Sequence, residues 1–138
     1  MRVVLDTNIL VSGLLWSGPP RQVLGAARRD EIQLFTTQIL LDELAEVLGR
    51  EKFAARLEQA GVSSDTLVTG FKALANLINP QNIPPTILDD PDDDAVLACA
   101  VAAKAQAIVS GDNHLLKLAD FSNIPILTAT DLLKQLDK

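Results

Sequence analysis

A chain of 138 residues, 48% hydrophobic but only 4% aromatic, is long enough to bury an aliphatic core and is expected to form one domain over 1–138. Its formal charge of −6 excludes a protein that coats nucleic acid through a general basic surface, while leaving local contacts open. One cysteine excludes an internal disulfide or a cysteine-based zinc site. No apolar run reaches the roughly 18 residues of a bilayer span and no secretory leader opens the chain, so a cytoplasmic protein without membrane contact is expected.

Val3 to Leu5 is a short apolar run that reads as a buried strand ending at Asp6. Asn8 to Leu15 reads as a helix closed by the turn signal SGPP. Between Pro20 and Arg29, Val23, Leu24 and Ala27 have helical spacing. IQLF (32–35) predicts a second strand, and Thr36 or Thr37 can cap the next helix, whose Leu40, Leu41, Leu44, Val47 and Leu48 share a face. KFAARLEQA (52–60) and Asp65 to Ile78 predict two further helices around the break GVSS. NPQNIPPTIL (79–88) carries three prolines and is expected to be an extended connector.

The acidic run DDPDDD (89–94) then leads into AVLACAVAAKA (95–105), a helix apolar on almost all sides and therefore buried, with Cys99 as a small core residue. AIVS (107–110) predicts a third strand, NHLLKLADF (113–121) a short helix and IPIL (124–127) a fourth strand, before a last helix from about Thr130. This alternation predicts an α/β fold: a three-layer α/β/α sandwich around a mainly parallel sheet of four to five strands.

That topology gathers acids. The C-terminal ends of parallel strands share one sheet edge, where the following helices begin. Asp6 ends the first strand, and Glu43 lies in the second turn of the helix after IQLF. Asp93 and Asp94 open the helix that leads to AIVS, and Asp112 follows that strand. At about 100° per residue, Glu43 falls roughly 40° outside the Val47 edge of its helix's apolar arc, whereas Asp42 and Glu46 point further toward solvent. A carboxylate at that border needs a partner. Clustered carboxylates are unfavourable unless protons or cations neutralise them, and oxygen-only donors suit Mg²⁺ or Mn²⁺. One or two such ions can activate water and stabilise the leaving oxygen of a phosphodiester.

Structural roles compete for the same residues. Asp93 or Asp94 can cap its helix, and Asp112 can cap NHLLKL. Asp89, Asp90 and Asp92 read as solvated turn residues, and His114, one turn into an amphipathic helix, reads as incidental. Arg21, Arg28, Arg29, Arg50, Lys52 and Arg56 make up half of the 12 basic residues and fall in one segment. They are either ordinary helix-face charges or phosphate contacts. A phosphoacceptor receiver domain would need an acidic pair after its first strand and a late lysine, which DTN and AIVSGDN do not supply. A haloacid-dehalogenase-type phosphatase needs an aspartate where Asn8 stands. An EF-hand calcium loop needs a central glycine, and a glutamate where Val101 stands.

With its residues in this order, the whole chain resembles a PIN domain, the metal-dependent ribonuclease fold of many prokaryotic toxin–antitoxin toxins. VVLDTNIL matches the opening motif, with Asp6 as the first metal-binding acid and Asn8 in support. ILLDELAEVL matches the second, with Glu43 as its acid. DDDAVLACAVAAKAQAIVSGDNHLL matches the third and fourth, with Asp112 and either Asp93 or Asp94; the subfamily carrying DPDD favours Asp93. Ser110 stands where the family often has threonine and keeps a hydroxyl near the site. The resemblance implies endonucleolytic cleavage of single-stranded RNA with one or two Mg²⁺ or Mn²⁺ ions, leaving a 5′-phosphate and a 3′-hydroxyl, with water as the attacking group. Asp6, Glu43, Asp93, Asp94 and Asp112 are the implied catalytic and metal-binding set, and Arg21, Arg28, Arg50 and Lys52 are candidates to hold phosphates. A homodimer and a small antitoxin that covers the site are implied as well. The competing expectation is a PIN fold that no longer cleaves and serves as an RNA- or protein-binding scaffold.

Overall fold

The computed structural model describes residues 1–80 and 91–137, apart from the side chains of residues 91 and 92. The connector over 81–88, Asp89, Asp90 and the side chain of Asp92 lie outside the described residues. The first half of the chain forms β1 (Arg2–Leu5), α1 (Thr7–Leu15), α2 (Pro19–Arg28), β2 (Gln33–Thr36) and α3 (Gln38–Leu48). A 3-10 turn (Glu51–Phe53) then leads to α4 (Ala54–Ala60), α5 (Ser64–Leu74) and β3 (Asn76–Leu77). The second half forms α6 (Pro91–Ala103), β4 (Ala107–Val109), α7 (Asn113–Leu118), β5 (Asp120–Phe121), β6 (Ile124–Leu127) and α8 (Ala129–Leu136). None of these helices is long and apolar enough to cross a membrane.

The strands make one sheet in the order β3-β2-β1-β4-β6-β5, parallel throughout except for the β5–β6 pair. Val3, Val4 and Leu5 of β1 and all of β4 are buried, as strands covered on both faces must be. On one face Val3, Leu5, Ala107 and Val109 pack with Leu10, Leu24, Leu44 and Leu132 from α1, α2, α3 and α8. On the other, Val4, Ile108 and Ile126 meet Leu97, Cys99 and Ala100 of α6 and Leu115 of α7. Burial pushes the Cys99 thiol up to about 12, so it is an inert core group. The three layers are those expected.

Local details depart from expectation where the signal is shortest. Among the described residues the sheet has six strands rather than four to five, because β3 and β5 are only two residues long. The helix expected to reach Ile78 stops at Leu74, and Asn76–Leu77 pair with Phe35–Thr36 instead. The Asn76 side chain donates to the Leu34 carbonyl at 3.1 Å, a long-range contact that no local pattern encodes. NHLLKLADF stops being helical at Leu118, and Ala119 takes a positive φ of 60°. Ser122 and Asn123, with φ of 50° and 65°, then turn β5 into β6, the backbone that a two-residue hairpin favours. Thr37, not Thr36, caps α3, accepting from the Leu40 N–H at 3.2 Å.

The strand order fixes where a crevice opens. From β1 the chain moves outward to β2 and β3, then returns to lay β4 on the opposite side of β1. The connections leaving β1 and β4 therefore diverge at their C-terminal ends, which is where open parallel sheets bind ligands.

Helix α1, which carries the first acid into that crevice, is seated by a close approach to α2. A Cβ on Gly13 would lie 2.9 Å from both Leu24 Cδ1 and the Pro20 carbonyl oxygen, and the backbone oxygen cannot yield cheaply. Overpacking of about 1–3 kcal/mol outweighs the roughly 1 kcal/mol that alanine gains in helix propensity. Gly13→Ala is thus expected to lower the urea midpoint with an unchanged slope.

Candidate active site

Asp6 stands at the reversal point of the sheet. Its N–H donates to the Val109 carbonyl at 3.0 Å, extending the β1–β4 pairing by one residue. Extended backbone (φ −74°, ψ 165°) makes it the N-cap of α1, and its Oδ1 accepts from the Ile9 N–H at 2.8 Å. Its Oδ2 accepts from the Ser110 hydroxyl at 2.5 Å, with the Gly111 backbone close by. The residue is only 4% exposed. Burial pushes its carboxyl above the usual range; Ser110, Ile9 and the Gly111 backbone pull it back, and the Asp112 charge pushes it up again.

The remaining acids arrive from three other segments. Ser110, fully buried beyond β4, also accepts from the Asp112 N–H at 2.9 Å, so one hydroxyl ties both acidic segments together. Asp112 caps α7, its Oδ1 accepting from the His114 N–H at 2.7 Å. Asp93, in the first turn of α6, is 6% exposed, and Glu43 of α3 is half-buried. Asp6, Glu43, Asp93 and Asp112 line one cavity of about 170 Å³, with Asn8 and Arg50 in its wall. Asp94 is not among the lining residues. Geometry therefore separates the two aspartates that helical phasing leaves equivalent.

His114 belongs to this cluster as well, contrary to its reading as incidental. Its Nδ1 is 3.7 Å from Asp112 Oδ1 and 3.9 Å from Asp93 Oδ2. Donor atoms of Asp93, Asp112 and His114 all fall within 4.8 Å of one another. The available signal was its place two residues after a capping aspartate, which returns the side chain to the same rim.

The four basic candidates separate. Arg50 reaches the cavity and pairs with Glu46, Nη2 to Oε2 at 2.9 Å. Arg21 closes the end of α1, donating to the carbonyls of Gly13 at 3.2 Å and Leu14 at 3.3 Å. Arg28 borders a different cavity, of about 210 Å³, with Leu24, Leu67 and Phe71. The Lys52 ammonium lies 5.1 Å from the Phe53 ring centroid.

Carboxylates from four segments line one small cavity and offer hard oxygen donors, and among them Asp93 and Asp112, with His114, bring ligand atoms close enough to gather about a common centre. The residues present fit a divalent cation such as Mg²⁺ or Mn²⁺.

The family model described as PIN domain matches residues 2–114, a span that holds all four cavity acids and His114. The crystal structure of VapBC2 from Rickettsia felis bound to a DNA fragment from their promoter contains a chain of similar fold. The likeness covers 91% of this chain and 97% of that one, at a TM-score of 0.60 and 16% identity. No curated protein matches the sequence.

The raised Asp6 carboxyl links stability to pH. The folded state holds this proton more tightly than the unfolded chain does. In chelator its contribution to stability is full below the ordinary value of 3.8 and is lost as pH rises through the raised value. Asp6→Asn can keep its contacts to Ile9 and Ser110 without a charge. In EDTA at neutral pH it is expected to melt above the wild type and to show a shallower pH dependence above the ordinary carboxylate value of 3.8. Calorimetry of the two proteins checks the sign.

Proposed function

The chain belongs to the PIN domain family, and from that premise we propose that it is a divalent-metal-dependent endoribonuclease acting on single-stranded RNA, the toxin of a cytoplasmic toxin–antitoxin pair. The observation that carries this reading is the convergence of Asp6, Glu43, Asp93 and Asp112 on one cavity. These four carboxylates would hold one or two Mg²⁺ or Mn²⁺ ions, with the His114 imidazole in reach of Asp93 and Asp112. Bound there, such ions supply water activation at neutral pH and offset the charge that builds on phosphodiester oxygens.

The chain's own groups keep the donors aimed. Ile9 N–H holds one oxygen of Asp6 and the Ser110 hydroxyl holds the other, which restricts the carboxylate to one orientation. Through the Asp112 N–H the same hydroxyl couples the position of Asp112 to that of Asp6. Arg50, steadied by Glu46, presents a guanidinium at the cavity wall, where its planar fork suits a phosphate of the incoming strand. Family membership supports the choice of RNA and of hydrolysis. The structural likeness to VapBC2 supports a small antitoxin as partner, and a homodimer belongs to the same reading.

Cleavage of single-stranded oligoribonucleotides is expected in Mg²⁺ or Mn²⁺ and not in EDTA. Glu43→Gln and Asp93→Asn should each cost more than the roughly 100-fold upper end for a supporting residue, and Ser110→Ala about 10- to 100-fold. Asp94→Asn should cleave nearly as the wild type does. Mn²⁺ should raise the melting temperature of the wild type but not of Asp93→Asn. Cleavage that persists in chelator, or in all the acid variants, would overturn this reading.

A further inference from the structure

Trp16 stands directly after α1 and is 42% exposed, in a chain whose four phenylalanines are all buried or half-buried. An aromatic ring left at the surface of an otherwise aliphatic protein is held there by definite contacts. The Phe53 ring meets it edge-on, with centroids 6.1 Å apart and planes inclined at 62°. The Arg56 guanidinium lies 5.9 Å from its centroid, and Arg56 is itself fixed by donating Nε–H to the Leu15 carbonyl at 2.6 Å. Lys52 stands over the neighbouring Phe53 ring. Two rings and two cations thus interleave on one surface.

Two elements link that surface to the acidic cavity. Helix α1 has Asp6, in the cavity, at its start and Trp16 at its end, about 15 Å away along the axis, a span that a few nucleotides of extended strand can cover. Arg50, in the cavity wall, accepts from the Phe53 N–H at 3.0 Å through its carbonyl. At the 3-10 rise of about 2 Å per residue, Phe53 is on the order of 6 Å beyond Arg50 along the chain. A strand that lies across the cavity and past Arg50 reaches the rings next.

We propose that Trp16, backed by Arg56 and Phe53, is a stacking platform for a base of the single-stranded RNA whose cleaved phosphate occupies the acidic cavity; this rests on the nuclease reading above. Single-stranded nucleic acids are held by aromatic faces combined with cations along the backbone, and stacking tolerates any base because every base has a π-face. The exposed acids Glu51 and Glu58 lie on the same segment, and Glu46 engages Arg50, so the surface carries no strong positive field. Stacking is therefore the larger contribution of this surface.

Trp16 is the sole tryptophan and the chain has no tyrosine, so intrinsic emission reports on this ring alone. In the full chain carrying Glu43→Gln to suppress cleavage, a short single-stranded RNA in Mg²⁺ should change that emission and saturate. Trp16→Ala should weaken binding on the order of ten-fold by anisotropy of a labelled oligonucleotide, while Trp16→Phe keeps most of it. In the cleaving protein, Trp16→Ala should raise KM and leave the Mn²⁺-induced melting shift intact. Oligonucleotide binding without an emission change, or Trp16→Ala binding and cleaving as the wild type does, would overturn the platform and leave the nuclease reading standing. Emission that responds to RNA where no metal-dependent cleavage exists would do the reverse. Emission that shifts with protein concentration alone would give the ring to a second copy and overturn the proposal.

Discussion

One hydroxyl organises the acidic end of the molecule. Ser110 Oγ donates to Asp6 and accepts from the Asp112 N–H, bridging the ends of β1 and β4 where the sheet's connections diverge. The Asp6 carboxylate is almost wholly withdrawn from water, a position that is unfavourable without directed partners. The backbone N–H of Ile9 supplies a second one. None of these partners carries a positive charge. The local structure holds the carboxylate in place without cancelling its charge, an arrangement that suits a cation rather than a permanent salt bridge.

The electrostatic cost is shared with folding. Asp6, Asp112 and Thr37 each cap a helix near the strand ends, so the groups that start α1, α7 and α3 also define the rim. Capping contributes about 1 kcal/mol per site and partly compensates the withdrawal of charge from water. Asp6 and Asp112 are consequently held in position by the same bonds that start their helices.

Much of this was legible in the sequence, for identifiable reasons. Runs such as VVL and AIV are apolar enough to read as covered strands, and parallel topology alone then puts Asp6 and Asp112 on one edge. Glu43 could be singled out because α3 has a clear apolar arc with Val47 at its border, and both residues do line the cavity. Helical phasing could not choose between Asp93 and Asp94, since α6 is apolar on most sides; only the resemblance to the DPDD-bearing subfamily leaned toward Asp93. His114 was missed because its neighbours, Asp93 and Asp112, come from segments that meet only in three dimensions. Arg21, read as either a helix-face charge or a phosphate contact, donates to two carbonyls at the end of α1 that no spacing rule locates. β3 and β5 escaped for a simpler reason: two residues cannot display a period.

Those two shortest strands are also the margins of the sheet. An edge that short presents almost no ladder of free N–H and C=O groups for another polypeptide to zip onto. Among the described residues neither margin offers the long open border that strand addition needs. Helix faces and the loops at the strand tips are the surfaces that the described fold leaves for contact with another protein.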